Sequence, residues 1–210
     1  SKGVQRFCAV EGKLPGRSLV TIPNGVDVAR FADAVPADLS EFGFPPDSPV
    51  ALFVGRMDPQ KRPLQFVSMA SRIASTDPAV RFLMVGEGPM SKSVQKAAID
   101  AGLESRLRLT GRRDDVPRLM RAARCLVLTS EWEGMPNVVL EAMAAGLPVI
   151  STDVEGIREL IVDGVHGLVV PLNDVENLIS AVQQVFIDPQ EARRLSTNAQ
   201  NHVYEHFTWQ

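Results

Sequence analysis

The sequence predicts an α/β protein built on a doubly wound, mostly parallel sheet with helices on both faces. Three observations carry that prediction. Short apolar runs such as Val50-Ala51-Leu52-Phe53-Val54 recur along the chain, as expected of parallel strands buried on both faces. Amphipathic stretches separate them, with apolar residues at helical spacing, as at Leu64, Phe66, Val67, Ala70 and Ile73. Glycines and charged clusters fall just after the apolar runs, and in such sheets ligands gather at the carboxyl ends of the strands.

Taken in order, residues 4–10 read as a short helix and residues 13–17, with Pro15 and Gly16, as a loop. Leu19-Val20-Thr21-Ile22-Pro23 reads as a strand closed by proline. Asn24-Gly25-Val26-Asp27 follows as a turn, since Asn-Gly tolerates positive φ. Pro36, Pro45, Pro46 and Pro49 make residues 28–49 an irregular surface connection. Strand 50–54 then leads through Gly55 into a helix over 63–75. Strand 80–85 runs into Gly86-Glu87-Gly88-Pro89, and a helix over 91–101 stops at Gly102, a natural C-cap. Strand 107–110 precedes a short helix reaching Ala123, capped by Asp114 or Asp115. Strand 125–129 precedes a helix over 137–145 that ends at Gly146. Strand 148–151, a short helix over 156–160 and strand 167–171 follow. Two helices close the chain, one from Asn173 or Asp174 to about Phe186, the other over 190–206. Six or seven strands result.

The 210 residues are 45% hydrophobic and 22% charged, an ordinary globular balance sufficient for one sizeable domain or two small ones. A net charge of −3 gives no footprint for nucleic acid. Cys8 and Cys125 make no metal or redox spacing, so a reduced compartment is the default. No apolar run approaches the roughly 20 residues of a membrane span, and no secretory leader is visible. The abrupt opening Ser1-Lys2-Gly3 suggests a piece cut from a longer chain.

The chemistry centres on Glu133-Gly134-Met135-Pro136-Asn137-Val138-Val139-Leu140-Glu141. Gly134 and Pro136 place Glu133 on a loop, with either Pro136 as the first helical residue or Asn137 as the N-cap. Glu141 falls about one turn inside the helix and is the only charge from Val138 to Ala145. An unpaired buried carboxylate is costly, so Glu141 needs an arginine or ligand hydroxyls. Arg56 and Lys61 offer two cations after the strand ending at Gly55, although a surface loop with two basic residues would look the same. The Gly86-Glu87-Gly88 loop lacks the spacing of a dinucleotide fingerprint and the lysine–hydroxyl pair of a P-loop. Asp114 and Asp115 are more simply helix caps than metal ligands. His202 and His206 have zinc-compatible spacing without a supporting frame, so His166, His202 and His206 read as solvated or core residues. Trp132 and Trp209 read as packing residues. Two cations and two carboxylates at one sheet edge suit a ligand with a pyrophosphate and hydroxyl-rich ends, such as a nucleotide-sugar.

The succession Pro23-Asn24-Gly25-Val26-Asp27, Val54-Gly55-Arg56 with Lys61, Val85-Gly86-Glu87-Gly88-Pro89, and Glu133 to Glu141 resembles the retaining nucleotide-sugar glycosyltransferases of the GT-B type, which have two Rossmann-like domains. Gly146-Leu147-Pro148-Val149-Ile150, Glu159, Asp163-Gly164 and Gly167-Leu168-Val169-Val170-Pro171 extend the resemblance over nearly the whole chain. It implies an inter-domain segment or leading helix over 1–17, then a Rossmann-like donor-binding domain over 18–210, the C-terminal half of a GT-B fold. The N-terminal acceptor domain is expected to be missing and the crossover helix at the C-terminus cut short. The activity implied is a metal-independent hexosyltransferase of carbohydrate biosynthesis that uses a UDP-, GDP- or ADP-sugar and no cofactor, and that is inactive as this fragment alone. Carried over by matching position, Glu133 is the catalytic residue engaging the sugar hydroxyls. Backbone N–H groups around Gly134, Met135, Pro136, Asn137 and Val138 hold sugar and phosphate, and Glu141 binds ribose. Gly55, Arg56 and Lys61 meet the diphosphate, Glu87 lies on the neighbouring loop, and Arg112 and Arg113 border the base. Met135-Pro136 stands where an aromatic residue and glycine are frequent, so sugar preference is not carried over. A cytoplasmic setting follows, with membrane contact only through the missing domain or a lipid-linked acceptor, and no nucleic-acid partner. Two other readings stand beside this one: a non-catalytic nucleotide-binding module, and a sugar-nucleotide epimerase of related architecture, whose acid–base groups the sequence does not supply.

Overall fold

The computed structural model describes residues 2–12 and 19–209. Six strands, β1 (Val50–Val54), β2 (Arg81–Val85), β3 (Leu107–Leu109), β4 (Cys125–Leu128), β5 (Val149–Thr152) and β6 (Leu168–Val170), form one sheet in the order β3-β2-β1-β4-β5-β6. Every neighbouring pair is parallel. This is the doubly wound, Rossmann-like α/β architecture that the apolar runs predict. Strand order reverses between β1 and β4, and the loops leaving those strands diverge there to open a crevice at the sheet's carboxyl edge.

Among the described residues, eight α-helices accompany the sheet: α1 (Lys2–Val10), α2 (Val28–Ala32), α3 (Pro63–Thr76), α4 (Ser91–Asp100), α5 (Val116–Ala122), α6 (Asn137–Ala144), α7 (Val175–Ile187) and α8 (Pro189–His206). The two-residue alternation of strand side chains splits the core in two. Val50 and Leu52 of β1 face a cluster containing Phe31 of α2, Leu119 of α5, Val139 of α6 and Val203 of α8. Ala51 and Phe53 face the opposite cluster, with Phe66 of α3, Val94 of α4 and Val182 of α7. There Phe66 packs edge-on against Phe53 at 5.6 Å and Phe82 at 6.3 Å. No helix among the described residues is long and apolar enough to cross a membrane.

Several local expectations are corrected. Residues 19–23 form no strand; Val20 and Ile22 are 85% and 80% exposed, and the segment lies against α1, where Gln5 Nε2 donates to the Leu19 carbonyl at 2.7 Å. Apolar composition makes a strand only where a sheet edge is free to pair. Asn24-Gly25 is no turn, and Gly25 is not in the left-handed region. Residues 28–49 are not wholly irregular: Asp27 caps α2, and a 3₁₀ turn spans Leu39–Phe42. Pro136 is itself the N-cap of α6, so Asn137 is the first helical residue and both sequence alternatives fail. Trp132 and Trp209 are 61% and 68% exposed, so neither packs into the core, although the Trp209 ring lies against Gly25. The loop expected over 13–17 lies outside the described residues.

Candidate functional site

The site begins where β1 ends. Gly55 gives close approach to the long side chain of Lys61, whose methylenes lie 3.6 Å from where a Cβ would stand. Asp58 is buried and holds the loop in shape: its carboxylate accepts the Lys61 backbone N–H at 3.1 Å and pairs with Arg56 Nε at 3.3 Å. The remainder of Arg56 is exposed to solvent. Lys61 Nζ then reaches across the crevice to pair with Glu133, whose Oε1 also accepts the Ser130 hydroxyl at 2.6 Å. Thr129 at the end of β4 donates to the Lys61 carbonyl at 2.8 Å, and Thr152 to the Ser130 carbonyl at 2.6 Å. The β1 and β4 loops are thus cross-braced at the switch point.

Beside this brace lies a cavity of about 490 Å³ lined by Val54, Gly55, Arg56, Val85, Gly86, Glu87, Arg112, Arg113 and Val116. Its back wall is made of strand ends drawn close together. Gly86 N–H donates to the Gly111 carbonyl at 2.8 Å, and Gly55 N–H to the Val85 carbonyl at 3.0 Å. Gly86 has φ +127°, and a Cβ there would lie 2.0 Å from the Gly55 carbonyl oxygen. Arg113 borders the cavity with its guanidinium already committed. It forms a two-bond pair with Asp115 at 2.8 and 2.7 Å, meets Glu41 at 3.0 Å and lies over the Phe42 ring at 5.3 Å. The Asp115 hydrogen bonds dominate in holding that guanidinium more basic than usual, and reciprocally hold the Asp115 carboxyl below the usual carboxylate range. Asp115 stands at the N-cap of α5 but spends its side chain on Arg113, not on capping, which corrects the simpler sequence reading. Arg112 and Glu87 are exposed at the rim.

The other side of the crevice is the start of α6, which does not line the cavity. A proline at the N-cap brings no side-chain acceptor, so the helix presents its first amides without a side-chain cap. Met135 is half-buried, Pro136 buried, Asn137 exposed and Val138 packed against the core. A Cβ on Gly156 would lie 2.0 Å from the Gly134 carbonyl oxygen, so the glycine allows the turn at Glu155–Glu159 to back this loop closely. Glu141, one turn further in, does not line the cavity. Burial holds its carboxyl above the usual range, with partial relief from Arg30 of α2 and no hydrogen bond or ion pair among the described residues.

The structure therefore gathers Gly55, Arg56, Glu87, Arg112 and Arg113 around one cavity. It joins Lys61 and Glu133 at the crevice beside it, through the Lys61 stem that packs on Gly55. Glu141 sits apart from both, deeper along α6. Ser130, Gly86, Gly156 and Asn24 emerge as further participants. A glycine after a parallel strand hinted at Gly86, whereas Gly156 carries no local signal, because what it makes room for is distant in sequence. The three histidines lie together: His166 stacks on His202 at 4.3 Å and His206 packs against His202 at 4.8 Å. They line no part of the cavity. Among the described residues no group of three or more His, Cys, Asp or Glu side chains is arranged to hold a metal ion.

A profile of the family described as Glycosyl transferases group 1 matches residues 36–202. The chain belongs to this family. Among group 1 relatives, the UDP-Gal:alpha-D-GlcNAc-diphosphoundecaprenol alpha-1,3-galactosyltransferase of Escherichia coli is 34% identical over 209 residues, covering 97% of this chain and 54% of that protein. The phosphatidyl-myo-inositol mannosyltransferase of Mycolicibacterium smegmatis is 34% identical over 179 residues, covering 83% of this chain and 45% of that protein. The chain thus spans about half the length of these curated relatives. In three dimensions it is similar to Anabaena Alr3699/HepE, solved in complex with UDP-glucose, with a TM-score of 0.88, 25% identity, and coverage of 99% of this chain and 58% of that one. The group 1 sheet described above matches the Rossmann-like sheets of GT-B glycosyltransferases.

Proposed function

We propose that this chain is the donor-binding domain of a retaining, metal-independent glycosyltransferase that moves a sugar from a nucleoside-diphosphate sugar to an acceptor. The observation that carries the reading is the Lys61–Glu133 pair at the switch point, flanked on one side by the cavity and on the other by the uncapped start of α6. An ammonium, a carboxylate and free helix amides within one crevice match, respectively, a phosphate, sugar hydroxyls and the second phosphate. Similarity to a structure solved with UDP-glucose and to two sugar transferases supports the same ligand class.

In this reading the base enters the cavity between Gly86 and Arg112, and ribose approaches Glu141, whose buried carboxylate gains hydroxyl donors in place of water. The diphosphate takes Lys61 from Glu133, and Glu133 then turns its oxygens to the sugar. Lys61, Arg56 and the α6 amides stabilise the charge that develops on the nucleoside diphosphate as the anomeric bond breaks. The acceptor attacks the face from which the leaving group departs, which retains configuration. The acceptor-binding domain supplies the acceptor and any general base.

Calorimetry of the chain against UDP, GDP and ADP tests this. One nucleotide should bind measurably, and Lys61→Ala and Glu141→Gln should each weaken it while circular dichroism shows the fold intact. Absence of binding at millimolar nucleotide would sink the reading.

A further inference from the structure

Asn24 and the residues after it form a strut. The Asn24 amide nitrogen donates to the Met135 carbonyl at 3.1 Å and to Asn137 Oδ1 at 2.7 Å, while its backbone N–H lies 3.2 Å from Met135 Sδ. The strut is held from behind by the end of α8. A Cβ on Gly25 would lie 2.0 Å from the Trp209 ring, and Val26 N–H donates to the Phe207 carbonyl at 2.8 Å. On the opposite side, Gly156 presses against the Gly134 carbonyl. The loop that leads into α6 therefore meets Gly156 through the Gly134 carbonyl and Asn24 through directional bonds, while Gly25 lets the Trp209 ring pack behind Asn24.

The chemistry of the grip is specific. A primary amide has two N–H donors, and Asn24 spends both on this loop. Asn137 accepts through its oxygen, which fixes the direction of its own amide and leaves its nitrogen, a two-proton donor, unspent among the described residues. Anchoring the Met135 carbonyl fixes the plane of the peptide that enters Pro136.

We infer that Asn24 is a positioning residue for the sugar end of the donor site. It acts through Met135 and Asn137, orienting the Asn137 side-chain amide to donate to the hydroxyls of the donor sugar. The inference rests on the donor-domain reading above. It predicts a loss confined to the sugar, because the nucleotide cavity is built by other loops.

The test uses this chain and two variants, Asn24→Ala and Asn24→Asp; the aspartate keeps the shape but cannot donate. Calorimetry measures UDP, GDP and ADP, and then the glucose conjugate of whichever nucleotide binds best. The ratio of the two dissociation constants isolates what the sugar adds. Both variants should bind the bare nucleotide within about twofold of the parent and lose about tenfold in the ratio. An unchanged ratio in Asn24→Asp overturns the inference, as does an equal loss for bare and conjugated nucleotide, or a parent whose ratio is one. Failure of the parent to bind any nucleotide overturns the donor-domain reading and this inference with it.

Discussion

The two walls of the crevice are held by different kinds of contact. At the tips of β1, β2 and β3 the wall is backbone against backbone, with Gly86 and Gly111 bonded at 2.8 Å and no room for a side chain between Gly86 and Gly55. At the start of α6 the wall is held largely by side chains, through Lys61 and Ser130 on Glu133 and through Asn24 on Met135 and Asn137. Backbone contacts of the first kind persist whatever occupies the cavity. Side-chain contacts of the second kind can be exchanged for a ligand's phosphates and hydroxyls at small cost, since one hydrogen-bond partner replaces another. One wall is a preformed slot and the other a set of exchangeable contacts.

Four substitutions break or sharpen that contrast. The largest effect is expected from Gly86→Ala, which combines a left-handed φ with a Cβ 2.0 Å from a backbone oxygen. A loss of about 3–4 kcal/mol in chemical denaturation should follow, because neither neighbouring strand end can withdraw. Gly156→Ala meets an equally close oxygen at Gly134, but that oxygen belongs to a loop and the glycine has no positive φ. Its stability loss should be nearer about 2 kcal/mol, with a displaced 134–135 backbone visible as shifted amide resonances. If the two alanines cost the same, the contrast between rigid and yielding walls is wrong.

Lys61→Ala ranks third. Glu133 has a side chain only 7% exposed and would keep the Ser130 hydroxyl while losing its cation. About 1–2 kcal/mol should be lost, less than for a fully buried pair because Lys61 touches solvent and Ser130 remains. Reversion of this loss in the double variant Lys61→Ala with Glu133→Gln would show that the cost is the stranded charge.

The smallest effect concerns Glu141 and is read through pH. Burial, only partly offset by Arg30, raises its carboxyl in the folded chain above the ordinary 4.5. The folded state thus holds that proton more tightly than the unfolded one. Stability falls as pH rises from the ordinary value through the raised one, and stays lowered beyond it. Glu141→Gln should remove this slope, matching the parent in thermal melts at about pH 4 and exceeding it at about pH 7. Identical profiles would mean that Glu141 is well solvated in the free chain.

The order of strands and helices was legible because parallel strands buried on both faces are written as unbroken apolar runs, as in Val50–Val54, and need no distant information to be recognised. Residues 19–23 carry a similar composition, yet they form no strand and Val20 and Ile22 face solvent, since strand formation depends on an available partner edge. The candidate site was legible where the motif and its chemistry are local: Gly55, Arg56, Glu87, Arg112 and Arg113 all follow strands and line one cavity. It was illegible where a residue works on something far away. Asn24 looked like half of a turn, and its partners lie beyond a hundred residues of intervening chain. Arg113 was expected to border the base, and nothing local showed that its guanidinium is taken up by Asp115 and Glu41.

By itself the sequence determined the doubly wound sheet, the edge at which chemistry collects and the charged residues available there, because hydrophobic periodicity and glycine placement act over one element at a time. The tertiary structure decided which charges remain available and which are spent, that Glu133 and Lys61 face one another, and that glycines and an asparagine from distant segments set the loop before α6. Those outcomes depend on distances between elements that adjoin only once the chain is folded, and no local pattern encodes them.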